Sequence, residues 1–287
     1  MPSLRDQLAQ PEPILVTLAL NPLMAKLAEA AGFKALYLGG GAMGYSRVYL
    51  EANLTLTEMV EEGVQIRTAC DLPLILDGAA GWGDPMHMHR TIRMAEAAGF
   101  AAIEIEDQLL PKRAHHHIGR EHMVPMELMA AKVREAVSAR RSDDFVIIGR
   151  TNGVRASNMA DALRRGEAYR AAGADVLLLS PRTAEEARFI GERLPPPLMH
   201  LVSAGGLSSS IGLTAAEMNA LGFRILVDTQ TPLLVAYRAW KQCYGEMVDG
   251  MNMPSLPPGE GKRLQDELHA DIGLEKLLAV ERATVER

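Results

Sequence analysis

The stretch Ala28–Leu38 reads AEAAGFKALYL, and the same arrangement returns three more times along the chain. The repeats are EAAGFAAIEI at Glu96–Ile105, YRAAGADVLLL at Tyr169–Leu179 and NALGFRILV at Asn219–Val227. Each combines the end of an alanine-rich helix, a glycine and a short apolar run. Glycine suits the left-handed position that ends a helix. A short run that is apolar throughout is typical of a parallel strand covered on both faces.

A second kind of strand lies between these repeats and is entered from a proline or a polar residue. Its members are Pro13–Thr17, Leu72–Asp77, Asp144–Arg150 and Pro197–Val202. Interleaving the two kinds gives eight strands, each followed by a helical stretch that starts at a proline or a capping residue. These starts are near Pro22, Thr55, Pro85, Pro125, Asn158, Thr183, Thr214 and Pro232. The pattern predicts an α/β protein with a closed (β/α)₈ TIM barrel; an open sheet of six or seven strands is the alternative.

The C-terminal part of the chain has a different character. The proline-rich segment Met253–Pro258 (MPSLPP) interrupts the helical pattern, and a helical tail with an apolar stripe follows. The stripe comprises Leu264, Leu268, Ile272, Leu274, Leu277 and Leu278. We therefore expect a barrel over residues 1–250 and a linker with an extra helix over residues 251–287. Because the barrel is closed without it, the stripe packs either on the outside of its own barrel or on a partner subunit.

Composition limits the classes of function. The chain has 287 residues, a net charge of −6 and a pI of about 5.8, so general affinity for nucleic acid is not expected. No apolar run approaches the roughly 20 residues of a membrane span. Only Cys70 and Cys243 are present, too few for a disulfide framework, which favours a reducing compartment and a cytoplasmic location. An acidic protein that binds an anion must gather arginines locally.

In this barrel class the active site lies at the carboxyl ends of the strands. The residues found there are Gly39, Gly40 and Gly41 after the second strand, Asp77 after the third, Glu104 and Glu106 on the fourth, Arg150 on the fifth and Ser203 after the seventh. Carboxylate oxygens are suitable ligands for Mg²⁺, and a guanidinium can bind a carboxylate through two hydrogen bonds. Alternatively, the acids cap helices or pair with arginine, and the glycines only form a turn. The run His115–His117 is a poor zinc site, because adjacent residues project in different directions.

The motifs in this order resemble the isocitrate lyase and phosphoenolpyruvate mutase superfamily along nearly the whole chain. The resemblance is carried by residues 37–41 (YLGGG), 77–83 (DGAAGWG), 105–108 (IEDQ), 112–116 (KRAHH), 149–152 (GRTN) and 272–275 (IGLE). It implies a barrel whose last helix is swapped onto a partner barrel, in a homodimer or homotetramer. It also implies Mg²⁺-assisted (or Mn²⁺-assisted) chemistry on 2-oxo or 2-hydroxy acids through an enolate.

The resemblance also implies roles for individual residues. Asp77 matches the direct metal ligand of the family, and Glu106 matches a carboxylate that holds metal-bound water. Arg150 matches the arginine that binds the substrate carboxylate. The backbones of Gly40 and Gly41 match donors to that same carboxylate. Gly39 stands where the family often has serine, and Gly39 and Ser203 are expected to contact the substrate because of their places at strand ends. His116 matches the histidine at the end of the family's mobile loop and is the expected proton carrier.

Several residues depart from the family pattern. Ala79 replaces the second aspartate of the family's glycine loop, which weakens the expected metal site. Ala114 and His115 replace the cysteine and glycine of the lyase motif, and Ser180 aligns with the lyase glutamate. Alanine cannot protonate an enolate. Either a histidine from His115–His117 replaces the cysteine, or the reaction is a decarboxylation in which solvent supplies the proton.

These observations favour a carbon–carbon lyase or decarboxylase that acts on a small 2-hydroxy or 2-oxo di- or tricarboxylic acid. Phosphonate chemistry at a P–C bond is a second hypothesis, because mutase and phosphonopyruvate hydrolase branches also lack the cysteine. A third hypothesis is a member of the family with altered or no catalysis, because fold does not fix function.

Overall fold

The computed structural model describes residues 2–286 and forms a closed barrel of eight parallel strands in sequence order. The strands are β1 Ile14–Leu18, β2 Ala35–Leu38, β3 Leu74–Asp77, β4 Ala102–Glu106, β5 Val146–Arg150, β6 Val176–Leu178, β7 Leu198–Val202 and β8 Phe223–Asp228. Pairing of β1 with β8 closes the barrel, with Val16 opposite Val227. The predicted (β/α)₈ barrel is therefore confirmed, and the open sheet is excluded.

Helices follow the strands as the capping residues predict. The described α-helices are α1 Leu4–Leu8, α2 Pro22–Ala30, α3 Gly40–Ser46, α4 Leu56–Ala69, α5 Met88–Ala97, α6 Met126–Ala139, α7 Gly153–Ala156, α8 Met159–Ala171, α9 Ala184–Arg193, α10 Leu207–Ile211, α11 Ala215–Ala220, α12 Thr231–Met247, α13 Pro258–Asp271 and α14 Leu274–Thr284. Thr55, for example, caps α4 and forms a reciprocal capping box with Glu58. Three 3₁₀ turns lie at Glu51–Asn53, Pro85–His87 and Ala114–Ile118.

The barrel interior is filled by side chains from all eight strands. The cluster includes Val16, Ile75, Val146, Val176 and Ile225, each exposed by 3% or less. Leu4, on the short helix α1, is fully buried in the same cluster. Functional side chains are therefore confined to the opposite end, where the strands end in Asp77, Glu106, Arg150 and Asp228.

The chain divides into two compact units, residues 2–232 and residues 233–286 of the described part. The second unit consists of most of α12 together with α13 and α14, and none of the described residues in these helices is buried. The expected single tail helix is two helices, because Gly273 adopts a positive φ of 71° between them. No helix within residues 2–286 is long and apolar enough to cross a membrane.

Candidate active site

A cavity of about 530 Å³ opens at the carboxyl ends of the later strands. Three of the predicted site residues line it together: His116, Arg150 and Ser203. The remaining charged or titratable residues of the lining are Arg155, Arg182, His117, His200 and Tyr45. None of the residues that line the cavity is acidic, although the whole chain carries a net charge of −6. The arrangement favours an anionic ligand.

Arg150 is held at the cavity by its neighbours on the strand ends. Its Nη1 donates to Oε1 of Glu104 at 2.6 Å, and its Nη2 donates to Oδ1 of Asn152 at 3.2 Å. Its Nε lies 3.3 Å from Oε2 of Glu106. These contacts fix the plane of the guanidinium, which is the condition for binding a carboxylate in a defined orientation.

Glu104 is the fully buried partner of this arginine. Its Oε2 accepts a hydrogen bond of 2.8 Å from the hydroxyl of Tyr37. Burial raises the pKa of Glu104 to about 7, although the charge of Arg150 opposes the shift. Burial and the charge of Asp77 raise the pKa of Tyr37, so this phenol remains a hydrogen-bond donor.

His116 has the surroundings of a positioned acid–base group. Its Nδ1 lies 2.8 Å from Oε2 of Glu121, whose side chain is buried and also pairs with Arg155. Its Nε2 lies 3.9 Å from Oε2 of Glu51. A carboxylate on one ring nitrogen fixes the orientation of an imidazole and leaves the other nitrogen for proton transfer.

The neighbouring histidines differ in their positions. His117 also lines the cavity, and its Nδ1 lies 3.1 Å from the hydroxyl of Tyr45. Burial and the neighbouring His116 lower the pKa of His117. His115 is exposed and contacts the ring of His122 at a centroid distance of 6.0 Å. His116 is therefore the histidine of this run that combines a carboxylate partner with a place at the cavity.

The other predicted site residues, Asp77, Glu106 and Gly39–Gly41, do not line this cavity. Asp77 accepts two backbone hydrogen bonds, from Gly40 to Oδ2 at 2.8 Å and from Ala79 to Oδ1 at 3.0 Å. The backbone of Gly40 thus binds a carboxylate of the protein itself. A side chain at Gly40 would meet Cγ of Glu51 at 2.8 Å, so the close approach of α3 to Glu51 requires glycine there.

Lys112 and Glu51 form the centre of this second group of residues. The Nζ of Lys112 lies 2.5 Å from Oε1 of Glu51 and 2.6 Å from Oε1 of Glu106. Although burial opposes its charge, Glu106 and Glu51 raise the pKa of Lys112. Lys112 belongs to one of the motifs shared with the family, but the sequence assigns it no role. No sequence signal indicates Glu51, because it lies in a 3₁₀ turn away from any strand end.

The residues present do not fit a divalent metal ion in this arrangement. The ammonium of Lys112 takes one oxygen of Glu106, and Asn152 donates to the other at 2.9 Å. Both oxygens of Asp77 accept backbone hydrogen bonds, and Ala79 supplies no ligand. Among residues 2–286, no group of three or more His, Cys, Asp or Glu side chains is arranged to hold a metal.

Known proteins are similar to this chain in sequence and architecture. The 2,3-dimethylmalate lyase of Eubacterium barkeri is 35% identical over 241 residues, which cover 82% of each chain. The oxaloacetate decarboxylase of Paraburkholderia xenovorans is 33% identical and covers 68% of each chain. A phosphonopyruvate hydrolase solved with oxalate and Mg²⁺ is 28% identical, with a TM-score of 0.83 and 98% coverage of each chain.

The phosphoenolpyruvate phosphomutase family model matches residues 4–248. The resemblance seen in the motifs is therefore confirmed, and so is the expectation of an enzyme of the carbon–carbon lyase class. The chain belongs to the phosphoenolpyruvate phosphomutase family.

Proposed function

We propose that the chain cleaves a carbon–carbon bond in a small 2-oxo or 2-hydroxy di- or tricarboxylic acid through an enolate. The observation that carries this proposal is the cavity with three arginines, three histidines and no acidic residue among its lining. Each arginine pairs with a glutamate of the chain, and a substrate carboxylate can accept hydrogen bonds from the remaining N–H groups of these guanidinium side chains. The lyase and the decarboxylase among the relatives support the same class of reaction.

Arg150 binds a carboxylate of the substrate. Glu104 and Asn152 hold the guanidinium plane, and each Nη atom uses one of its two N–H groups in these bonds, which leaves the other for the ligand. Arg155 and Arg182 line the same cavity, where they pair with Glu121 and Glu186, and their remaining N–H groups can bind a further carboxylate. Ser203 adds a neutral donor at the end of β7, and it was predicted as a substrate contact.

His116 carries the proton that the missing cysteine cannot. In a decarboxylation, the bond between the carboxyl carbon and the adjacent carbon breaks, and its electron pair remains as an enolate. The enolate carbon then takes one proton from His116, which returns to its neutral form and is reprotonated from solvent. Glu121 stabilises the charged imidazole during this cycle, because its buried carboxylate lies at Nδ1.

The purified protein should be assayed against 2-oxo and 2-hydroxy diacids, with release of CO₂ or of a 2-oxo acid as the readout. Turnover of a diacid that is lost in His116→Gln supports the proposal. No turnover of any diacid by folded protein that also fails to bind oxalate would contradict it.

Phosphonate chemistry remains the second candidate because of one observation, the fold shared with a phosphonopyruvate hydrolase over 98% of each chain. A cationic cavity also suits a phosphonate. Phosphate release from phosphonopyruvate, without turnover of any diacid, would favour this candidate.

The expected Mg²⁺ or Mn²⁺ is not part of this proposal, because the residues around the carboxylates do not fit it, and the partner subunit stays a prediction. The tail supports a homodimer or homotetramer, because Leu268, Ile272, Leu277 and Val280 are each between 44% and 61% exposed. An apolar surface of this kind usually marks an interface with another protein. We infer that the tail packs on a second copy of the chain.

A further inference from the structure

Two carboxylates of the barrel end lie within hydrogen-bond distance of one ammonium group. Oxygens of Glu51 and Glu106 lie 2.5 and 2.6 Å from Nζ of Lys112, and the side chains of these three residues are exposed by 7% or less. The charge of Asp77 also acts on Lys112. Buried carboxylates are stable only where a cation or hydrogen bonds compensate their charge. In this protein that cation comes from the chain itself.

The position of Lys112 requires the loop that follows β4 to fold over the strand ends. The loop is fixed by an antiparallel bridge between Gln108 and Met123, and by the hydrogen bond from Val124 to the carbonyl of Asp107. The 3₁₀ turn Ala114–Ile118 places His116 on Glu121 within the same loop. The loop therefore delivers Lys112 and His116 to the site together.

Ala79 contacts the neighbouring carboxylate of Asp77 through its backbone. It lies directly after the Asp77-Gly78 pair and has a positive φ of 46°, a conformation in which aspartate is more common than alanine. Its amide donates to Asp77 and its carbonyl accepts from Glu106. The backbone here is suited to a carboxylate side chain, but the chain has a methyl group.

We propose that the ammonium of Lys112 is the resident cation of this carboxylate cluster and occupies it in place of a divalent metal ion. The inference goes beyond the proposed function and does not depend on the identity of the substrate. A cation tethered within hydrogen-bond distance of two carboxylates repels a divalent ion and removes its ligands at the same time. Weak metal affinity is thus built into the folded loop.

The test is Mn²⁺ binding to the resting protein, measured by the loss of the free Mn²⁺ signal in electron paramagnetic resonance. We expect wild-type protein to bind only at millimolar Mn²⁺. Lys112→Met removes the ammonium but keeps an unbranched stem, and should bind about tenfold more tightly or better. Ala79→Asp should gain affinity as well, because it adds a ligand that its backbone conformation accepts.

Two controls separate a lost charge from a disturbed loop. Lys112→Arg keeps a cation and should leave Mn²⁺ binding as weak as in wild type. Lys262→Met, at an exposed ion pair with Asp266 in the tail, should change nothing. Wild-type binding below about 0.1 mM, or Lys112→Met binding no more tightly than wild type, overturns the proposal. If circular dichroism shows that Lys112→Met does not fold, the Mn²⁺ affinity of the wild-type protein alone decides the proposal.

Oxalate binding in EDTA distinguishes a failure of this inference from a failure of the proposed function. Oxalate that binds to metal-free wild type but not to Arg150→Met supports the cationic cavity, whatever the Mn²⁺ result. Tight Mn²⁺ binding by wild type overturns the resident lysine while leaving the cavity intact.

Discussion

Nε of Arg150 lies 3.3 Å from Oε2 of Glu106, and this contact joins the two groups of residues at the barrel end. Arg150 lines the cationic cavity, whereas Glu106 pairs with Lys112 in the carboxylate cluster. A change in the cluster therefore acts on the residue that is proposed to bind substrate.

Arg150→Lys should weaken oxalate binding by about 2 to 4 kcal/mol, roughly 30- to 1000-fold, because an ammonium cannot replace the planar pair of donors. The variant retains a positive charge beside Glu104, so it should remain folded. Calorimetry of oxalate binding measures the effect. Arg164→Lys, at an ion pair where the arginine side chain is 68% exposed, is the matched control. Equal oxalate affinities of Arg150→Lys and wild type would contradict the role of Arg150 in binding a carboxylate.

His116→Gln should lower kcat by about 10²- to 10⁴-fold, because glutamine hydrogen-bonds but does not transfer a proton. His115→Gln should keep nearly full activity, since the exposed His115 does not line the cavity. Steady-state kinetics with added imidazole provides a further check, because imidazole should partly restore His116→Gln. A larger loss of kcat in His115→Gln than in His116→Gln would show that His116 is not the proton carrier.

The stability of the barrel should fall as the pH drops from 6.5 to 4, in part through His200. Burial lowers the pKa of His200 to about 4, and its Nδ1 has no hydrogen-bond partner among residues 2–286. The unfolded chain binds a proton at this histidine near pH 6.5, so it holds more protons than the folded chain between pH 6.5 and 4. The stability that a neutral His200 provides is present above pH 6.5 and is lost as the pH falls through 4.

The contribution of His200 is on the order of 3 kcal/mol over this window. His200→Leu should flatten the pH dependence of the free energy of unfolding by that amount in urea titrations. An unchanged slope in His200→Leu would show that this histidine does not contribute.

Gly78→Ala should destabilise the barrel by about 1 to 3 kcal/mol, because the site is already closely packed. The added Cβ would lie 2.3 Å from the backbone carbonyl oxygen of Glu104 and 2.7 Å from Cγ1 of Ile103. Gly245→Ala is the matched control: nothing lies within 4 Å of its Cβ, and helical alanine should stabilise by up to about 1 kcal/mol. Urea unfolding measures both, and a neutral Gly78→Ala would contradict the close approach of β3 to β4.

Leu277→Glu should shift the protein to a smaller species in light scattering after size exclusion, because a charge in an apolar interface is costly. Lys276→Glu, one position earlier on α14, alters a side chain outside the apolar stripe and should not change the mass. Loss of helix in Leu277→Glu must be excluded by circular dichroism. A wild-type monomer would contradict the partner subunit.

The amino-acid sequence by itself determined the eight strands, their order and most helix starts. Four repeats of helix, glycine and apolar run specify half of the βα units, and caps such as Thr55 and Asn158 mark helix starts through hydrogen bonds within a few residues. Because these signals are local, they can be recognised without the fold. The strand-end rule then placed Arg150 at the site, and the motif pattern did so for His116.

Only the tertiary structure decided which of these residues meet. Lys112 reaches Glu51 across 61 positions of sequence, and Glu121 reaches Arg155 across 34. Neither pairing can be recognised from a pattern among neighbouring residues in the sequence, because each depends on how the loop after β4 folds over the strand ends. The sequence showed that Ala79 lacks a carboxylate, but the fold showed that an ammonium group lies among the carboxylates. Charge compensation between distant residues is a property of the assembled barrel, so the cation of the site could be identified only there.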